Sequence, residues 1–289
     1  METMEWVECP RDAMQGITRF IPTAQKAKYI NTLLNVGYDV IDFGSFVSPK
    51  AIPQLQDTAE VLKMLDLSAT RSKLLAIIAN VRGGETAAGF DEIAYLGFPF
   101  SISETFQQRN TNSNITQSLG TVEQLQSIAV NSGKELVVYI SMAFGNPYGD
   151  EWNADVAVKW TEKIAGLGVK TIALSDTVGL ANATDVSSIF KAVIPALPSV
   201  KFGAHLHASE QNWREKVAAA WEGGCRRFDS AMKGYGGCPM AEDELVGNLA
   251  SEQLKLFLDE KQVKTGINDA AFTRALIEAN TVFAEPLAT

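Results

Sequence analysis

Histidine is nearly absent from this chain, with two in 289 residues, and three further absences each remove a class of function. No run approaches the roughly 18 apolar residues that a bilayer span needs. The start, Met1-Glu2-Thr3-Met4-Glu5-Trp6, is acidic and lacks the basic and then apolar order of an export signal, so no membrane association and a cytoplasmic location are expected. Lys and Arg number 25 against 34 Asp and Glu, a formal net charge of −9 without a basic cluster. That balance excludes the concentrated positive surface on which nucleic-acid binding depends and leaves a small molecule or a protein as partner. Cys9, Cys225 and Cys238 are odd in number and irregular in spacing, which excludes a disulfide framework and fits a reducing compartment. No linker or low-complexity tract divides residues 1–289, so a single domain is expected. The stretch Gly234-Tyr235-Gly236-Gly237 lacks the G-x-G-x-x-G spacing of a dinucleotide site.

What is present is an alternation of short β-type runs with segments of helical period. Strands are expected near Trp6–Cys9, Val40–Phe43, Leu74–Ala79, Glu92–Leu96, Leu136–Ser141, Thr171–Leu174, Lys201–His205 and Arg226–Asp229. Amphipathic stretches fall at Thr23–Val36, Gln54–Leu65, Ile115–Val130, Ala154–Gly166, Ala183–Ala196 and Ser209–Trp221. Eight such units fit a closed (β/α)8 TIM barrel better than an open sheet, with an additional C-terminal helix over Asp269–Phe283.

The two histidines, His205 and His207, sit at strand spacing, which sends both imidazoles to one face at a strand end. Imidazole is a common ligand of divalent metals, so the pair reads as half a metal site. Other polar residues also fall at carboxyl ends of strands, where a barrel of this class keeps its chemistry: Arg11, Asp12, Asp42, Asp176, Cys238 and Asn248, with Tyr139 inside the fifth strand. Each has an ordinary structural role open to it: Asp12 or Asp176 as a helix cap, Tyr139 as core, Cys238 as a small buried residue. Their convergence argues for function. Two histidines with a carboxylate and a carboxamide form a mixed N/O set suited to Mg2+ or Mn2+, with Co2+ and Zn2+ as competitors.

The segments Val7-Glu8-Cys9-Pro10-Arg11-Asp12-Ala13-Met14-Gln15, Ser45-Phe46-Val47-Ser48-Pro49-Lys50-Ala51-Ile52-Pro53-Gln54, Ser175-Asp176-Thr177-Val178-Gly179, His205-Leu206-His207, Gly236-Gly237-Cys238-Pro239 and Gly247-Asn248-Leu249-Ala250 together resemble 3-hydroxy-3-methylglutaryl-CoA lyase. The Arg-Asp pair and the H-x-H are shared with isopropylmalate, homocitrate and citramalate synthases, whereas the Ser45–Gln54 segment and the Gly-Gly-Cys-Pro loop are more particular to the lyase. The resemblance implies a divalent-metal barrel that cleaves an acyl-CoA substrate, a homodimer, and a place in leucine degradation. On matching positions it implies Asp12, His205, His207 and Asn248 as metal ligands and Cys238 as the catalytic thiol. Arg11, Asp42, Tyr139 and Asp176 would line the reacting carbons.

Four places depart from the pattern, one of them Pro239-Met240-Ala241-Glu242-Asp243-Glu244, more acidic than expected beside a CoA ester. Ala13 and Gly16-Ile17 alter the first loop; Asp42 stands where the lyase has Glu; and Ala208 replaces the Asp after H-x-H, a hydrogen-bond partner of the metal site. Glu210 is the nearest carboxylate that could replace it. A synthase of the same superfamily would be expected to carry a further C-terminal region, a CoA-independent aldolase shares the metal set, and a non-catalytic binding barrel would have no use for it.

Overall fold

The computed structural model of the chain describes residues 3–237 and 246–283. Eight parallel strands close in chain order: β1 (Glu5–Glu8), β2 (Val40–Ser45), β3 (Lys73–Ile77), β4 (Ile93–Ser101), β5 (Glu135–Ser141), β6 (Thr171–Ser175), β7 (Lys201–His205) and β8 (Arg227–Ser230). The last returns to the first, with Trp6 opposite Phe228 and Val7 opposite Asp229. A parallel sheet wrapped by helices is buried on both faces, which is why these strands are apolar at consecutive positions. Trp6, Ile41, Leu74, Phe98, Val138, Ile172 and Phe228 turn outward to the helices. Val7, Cys9, Val40, Leu75, Ile77, Val137, Tyr139 and Ala173 form a separate cluster inside the barrel. Full burial of each large apolar side chain contributes about 1.5–3 kcal/mol.

Helices α1 (Pro10–Gln15), α2 (Thr23–Leu34), α3 (Thr58–Leu62), α4 (Val81–Ala88), α5 (Glu104–Thr111), α6 (Ile115–Asn131), α7 (Ala154–Gly166), α8 (Ala183–Ala196), α9 (Trp213–Glu222) and α10 (Ser251–Glu260) surround the sheet, and α11 (Asp269–Phe283) packs beside α2. The expected (β/α)8 barrel with a C-terminal helix is the observed fold. Asparagine caps start α4, α6, α7 and α8: the side chains of Asn80, Asn114, Asn153 and Asn182 each accept a backbone N–H of the first turn.

The differences from expectation have local causes. The helix expected from Ser209 begins at Trp213, because the Ala208 N–H is committed to the Gly247 carbonyl at 3.0 Å and the Asn212 side chain accepts the Ser209 N–H. The stretch expected as one helix over Gln54–Leu65 divides into a 3-10 turn, Pro53–Leu55, and α3. Gln54 is drawn aside there to bind the Ile17 and Arg19 carbonyls and the Ile21 N–H. Strand β4 runs five residues past the expected end at Leu96, through Pro99, because β5 pairs with it as far as Ser101.

Inside the barrel Arg227 is fully buried and lies against Gly203 of β7, where a Cβ would come within 2.7 Å of Nη1. The guanidinium cannot retreat, since Glu5, Asp229 and the Tyr139 hydroxyl all hold it. Gly203→Ala is expected to destabilise the fold by about 1–3 kcal/mol through overpacking. Urea unfolding checks this, and an unchanged midpoint would show that the interior can relax around Arg227.

Candidate active site at the carboxyl end of the barrel

The chain leaves β1 through Cys9 directly into α1, whose N-terminal Pro10 suits a position that has no N–H to satisfy. This short helix places Arg11 and Asp12, both buried, over the barrel mouth. Arg11 donates from Nε and Nη2 to Asp42 Oδ2 at 2.9 and 2.6 Å, and from Nη1 to Asp12 Oδ1 and Gln15 Oε1, both at 2.8 Å. The shorter Asp42 side chain therefore does reach Arg11. Of the five guanidinium donors one Nη2 N–H is left over among the described residues. Burial opposes the charge on Arg11, and the flanking Asp42 and Asp12 outweigh it, raising its pKa.

His205 ends β7, and His207 lies two residues beyond the last strand residue. Its backbone remains extended because residues 206–208 pair with 247–249 of the returning chain: Leu249 N–H to Leu206 carbonyl at 2.9 Å and Ala208 N–H to Gly247 carbonyl at 3.0 Å. That pairing also sets Asn248 beside His207. The imidazole centroids are 5.6 Å apart, and ligand atoms of Asp12, His205 and His207 lie within 4.8 Å of one another. Asn248 Nδ2 donates to Asp12 Oδ2 at 2.6 Å and to the Tyr235 carbonyl at 2.9 Å, which leaves Oδ1 for another partner. The four residues expected as metal ligands are thus brought together.

A second cluster, Cys9, His205 and Asp229, shares one histidine with the first. Asp229 on β8 faces His205 across the sheet and takes its Nδ1 at 3.1 Å, while its other oxygen accepts from Arg227 at 2.8 Å. Burial pushes the Cys9 thiol well up, so it stays protonated and is a poor ligand. His205 thus gives its Nδ1 to Asp229 and also stands within 4.8 Å, ligand atom to ligand atom, of Asp12 and His207. Burial works against charge on His205, but the Asp229 hydrogen bond prevails and raises its pKa. Burial and neighbouring His205 push His207 down to about 4, and Arg11 overcomes burial to lower Asp12.

Four buried carboxylates meet at the mouth, and their oxygens are not equally occupied. Asp12 is held by Arg11, Gln15 and Asn248, and Asp229 by Arg227 and His205. Asp176, after β6, accepts from Lys216 Nζ at 2.7 Å and from the Ala181 N–H at 3.1 Å. Asp42 Oδ1 has no hydrogen-bond partner among the described residues although its residue is 1% exposed. Burial, opposed by Arg11, brings the Asp42 carboxyl up to about 6. Tyr139 stands edge-on to His205, centroids 5.9 Å apart, and burial pushes its phenol well up.

Cys238 lies outside the described residues. The chain approaching it passes tightly over the site: at Gly236, φ +98°, a Cβ would fall 2.5 Å from Asn248 Nδ2 and 2.8 Å from the Asp12 carbonyl oxygen, so only glycine fits. Glu210 is exposed, so it does not replace the carboxylate absent at 208. Asp229, Lys216 and Glu8 are contributors that motif reading overlooked. Asp229 follows from no spacing, because its pairing with His205 depends on strand register. Lys216 had a readable signal: it shares the i, i+3, i+4, i+7 face of Trp213, Lys216, Val217 and Ala220, an unusual place for a lysine.

Glu8 faces away from the barrel interior and anchors both stalks of the segment that carries Asn248. Its Oε1 accepts from the Met232 N–H at 2.7 Å and its Oε2 from the Ser251 hydroxyl at 2.5 Å. Burial pushes the Glu8 carboxyl up to about 8.

Residues 4–277 match the HMGL-like family. The chain is 30% identical over 260 residues to hydroxymethylglutaryl-CoA lyase YngG of Bacillus subtilis, covering 89% of this chain and 85% of that one. It is 31% identical to the mitochondrial hydroxymethylglutaryl-CoA lyase of Bos taurus, over 96% of this chain and 83% of that one. The crystal structure of the HMG-CoA lyase from Brucella melitensis superposes with a TM-score of 0.91 at 29% identity, over 99% of this chain and 100% of that one. An Acinetobacter baumannii HMG-CoA lyase in complex with coenzyme A and 3-methylmalate superposes with a TM-score of 0.88 at 28% identity, over 97% and 91%.

The raised Glu8 pKa has a measurable sign. In the folded chain the proton is retained up to about pH 8, whereas the unfolded chain loses it near 4.5, so Glu8 costs stability progressively as pH rises through that window. Glu8→Gln keeps the shape without the proton. Its stability relative to wild type is expected to improve by an amount on the order of a few kcal/mol between about pH 5 and about pH 9. Denaturant titrations at both pH values check this; a constant difference would mean that Glu8 is ionised in the folded chain.

Proposed function

The chain belongs to the HMGL-like family of carbon–carbon lyases, and from that membership we propose that it cleaves 3-hydroxy-3-methylglutaryl-CoA to acetyl-CoA and acetoacetate with a divalent ion, Mg2+ or Mn2+. The observation that carries the reading is the pair of open groups beside the Asp-His-His cluster. Among the described residues Asp42 Oδ1 is a buried acceptor without a donor, and Arg11 Nη2 keeps one unspent N–H.

The residues fit one cation. Ligands about 2.1 Å from an octahedral ion lie roughly 3 to 4.2 Å from one another, and the Asp12, His205 and His207 atoms already lie within 4.8 Å. Asn248 Oδ1 would complete the protein's share, and solvent or substrate oxygen the remainder. The ion's contribution there is to polarise the oxygens it binds and to lower the pKa of a hydroxyl.

Asp42 and Arg11 divide the remaining work. Asp42 Oδ1 accepts the proton of the tertiary hydroxyl, a task for which Asp176 is less suited because Lys216 and the Ala181 N–H hold both its oxygens. The C2–C3 bond breaks, its electron pair passes to C2 and the thioester, and the hydroxyl-bearing carbon becomes the ketone of acetoacetate. The spare Arg11 N–H meets the charge on the thioester oxygen. Cys238 then gives a proton to C2, and solvent returns the proton from Asp42 to the thiolate after release. Tyr139 walls the site behind His205. Among the described residues no helix is long and apolar enough to cross a membrane.

The test is direct: purified protein with Mn2+ or Mg2+ and 3-hydroxy-3-methylglutaryl-CoA is expected to release acetoacetate and acetyl-CoA in equal amounts. Neither product with either ion overturns the reading. Arg11→Lys retains charge but loses the fork, and kcat is expected to fall roughly 100-fold or more with little change in KM. Wild-type turnover in that variant would take Arg11 out of the reaction.

A further inference from the structure

Lys216 of α9 is completely buried, a costly location for an ammonium unless every proton finds an oxygen. Here all three do. Nζ donates to Asp176 Oδ2 at 2.7 Å, to the His207 carbonyl at 2.9 Å and to the Gly179 carbonyl at 3.1 Å. One side chain thereby joins the loop after β6 to the loop after β7. Thr177 lies between the two residues of its loop that Lys216 grips, Asp176 and Gly179. The Thr177 hydroxyl in turn accepts the Met142 N–H at 2.9 Å, which ties the same loop to the end of β5.

We propose that Lys216 is the positioning residue of His207: it fixes the main chain of that histidine through its carbonyl and ties it, through Asp176 and Gly179, to the loop after β6. A ligating histidine depends on the hydrogen-bonded groups behind it for its placement, and loss of such support commonly costs tenfold or more in metal affinity. In this chain position 208, the neighbour of the metal-site histidine, is alanine, and Glu210 faces solvent. Lys216 supplies the support from the helix behind instead. The consequence for metal binding rests on the reading of Asp12, His205, His207 and Asn248 as ligands; the consequence for the imidazole does not.

The experiment uses the chain's economy of histidine, since 15N-histidine labelling gives a spectrum of two imidazoles. Lys216→Met alone strands Asp176 in the interior and is prone to misfold, so the decisive variant is Lys216→Met with Asp176→Asn, which removes the buried pair together. In the metal-free folded double variant the His207 nitrogen shifts are expected to move away from their wild-type values, and Mn2+ affinity measured by calorimetry to fall tenfold or more. Val122→Ala, a cavity in α6 far from the site, lowers stability and is expected to change neither. Wild-type imidazole shifts together with wild-type Mn2+ affinity in the double variant overturn the proposal. Wild-type protein that takes up no Mn2+ overturns the metal-site reading instead, and the imidazole shifts then decide the role of Lys216 independently.

Discussion

Charge inside a closed barrel has no water to turn to, and the structure at the barrel mouth follows from the need to pair it internally. An unpaired buried ion costs several kcal/mol even after relaxation. The chain meets this with three basic groups, each shared between oxygens: Arg227 among Glu5, Asp229 and Tyr139, Arg11 between Asp42 and Asp12, and Lys216 between Asp176 and two carbonyls. These links cross strand boundaries, so each also sets the position of a loop. Arg11 holds α1 to Asp42, which lies within β2 and not at its end as the sequence suggested, and Lys216 holds the loops after β6 and β7 to α9.

Pairing on this scale limits what the interior can hold, and glycine supplies the room. Arg227 occupies space that a side chain at 203 would take, and the approach to Cys238 crosses Asp12 and Asn248 at Gly236. Asp42 reaches the Arg11 fork with one oxygen, and its other oxygen is buried without a donor among the described residues.

The barrel was legible from the sequence because parallel strands buried on both faces leave continuous apolar runs that a helix period does not imitate. His205-Leu206-His207 was legible for a related reason: alternation puts both rings on one side whether or not the strand itself continues to 207. Short helices with few large apolar residues escaped. In α4, Val81–Ala88, Gly83 and Gly84 weaken the helix signal, yet both are buried against neighbouring residues that leave no room for a larger side chain. Register and depth escaped as well. Asp229 meets His205 only because β7 and β8 are aligned at those two residues, and Glu8 meets Ser251 across 243 residues of chain.

The electrostatics of the cluster explain why one of its two overlapping ligand sets suits a cation. A metal site needs unprotonated ligands before the ion arrives, since every proton displaced weakens apparent binding. Burial and His205 hold His207 neutral, and Arg11 holds Asp12 ionised against its burial. On the other side of His205 the balance is reversed. Burial keeps the Cys9 thiol protonated, and Asp229 takes for its own hydrogen bond the His205 Nδ1. Asp229 receives His205 Nδ1 and raises the basicity of a ring that also belongs to the 4.8 Å cluster of Asp12 and His207. The ion pair Arg227–Asp229, buried inside the barrel, therefore holds in place the histidine that both clusters share.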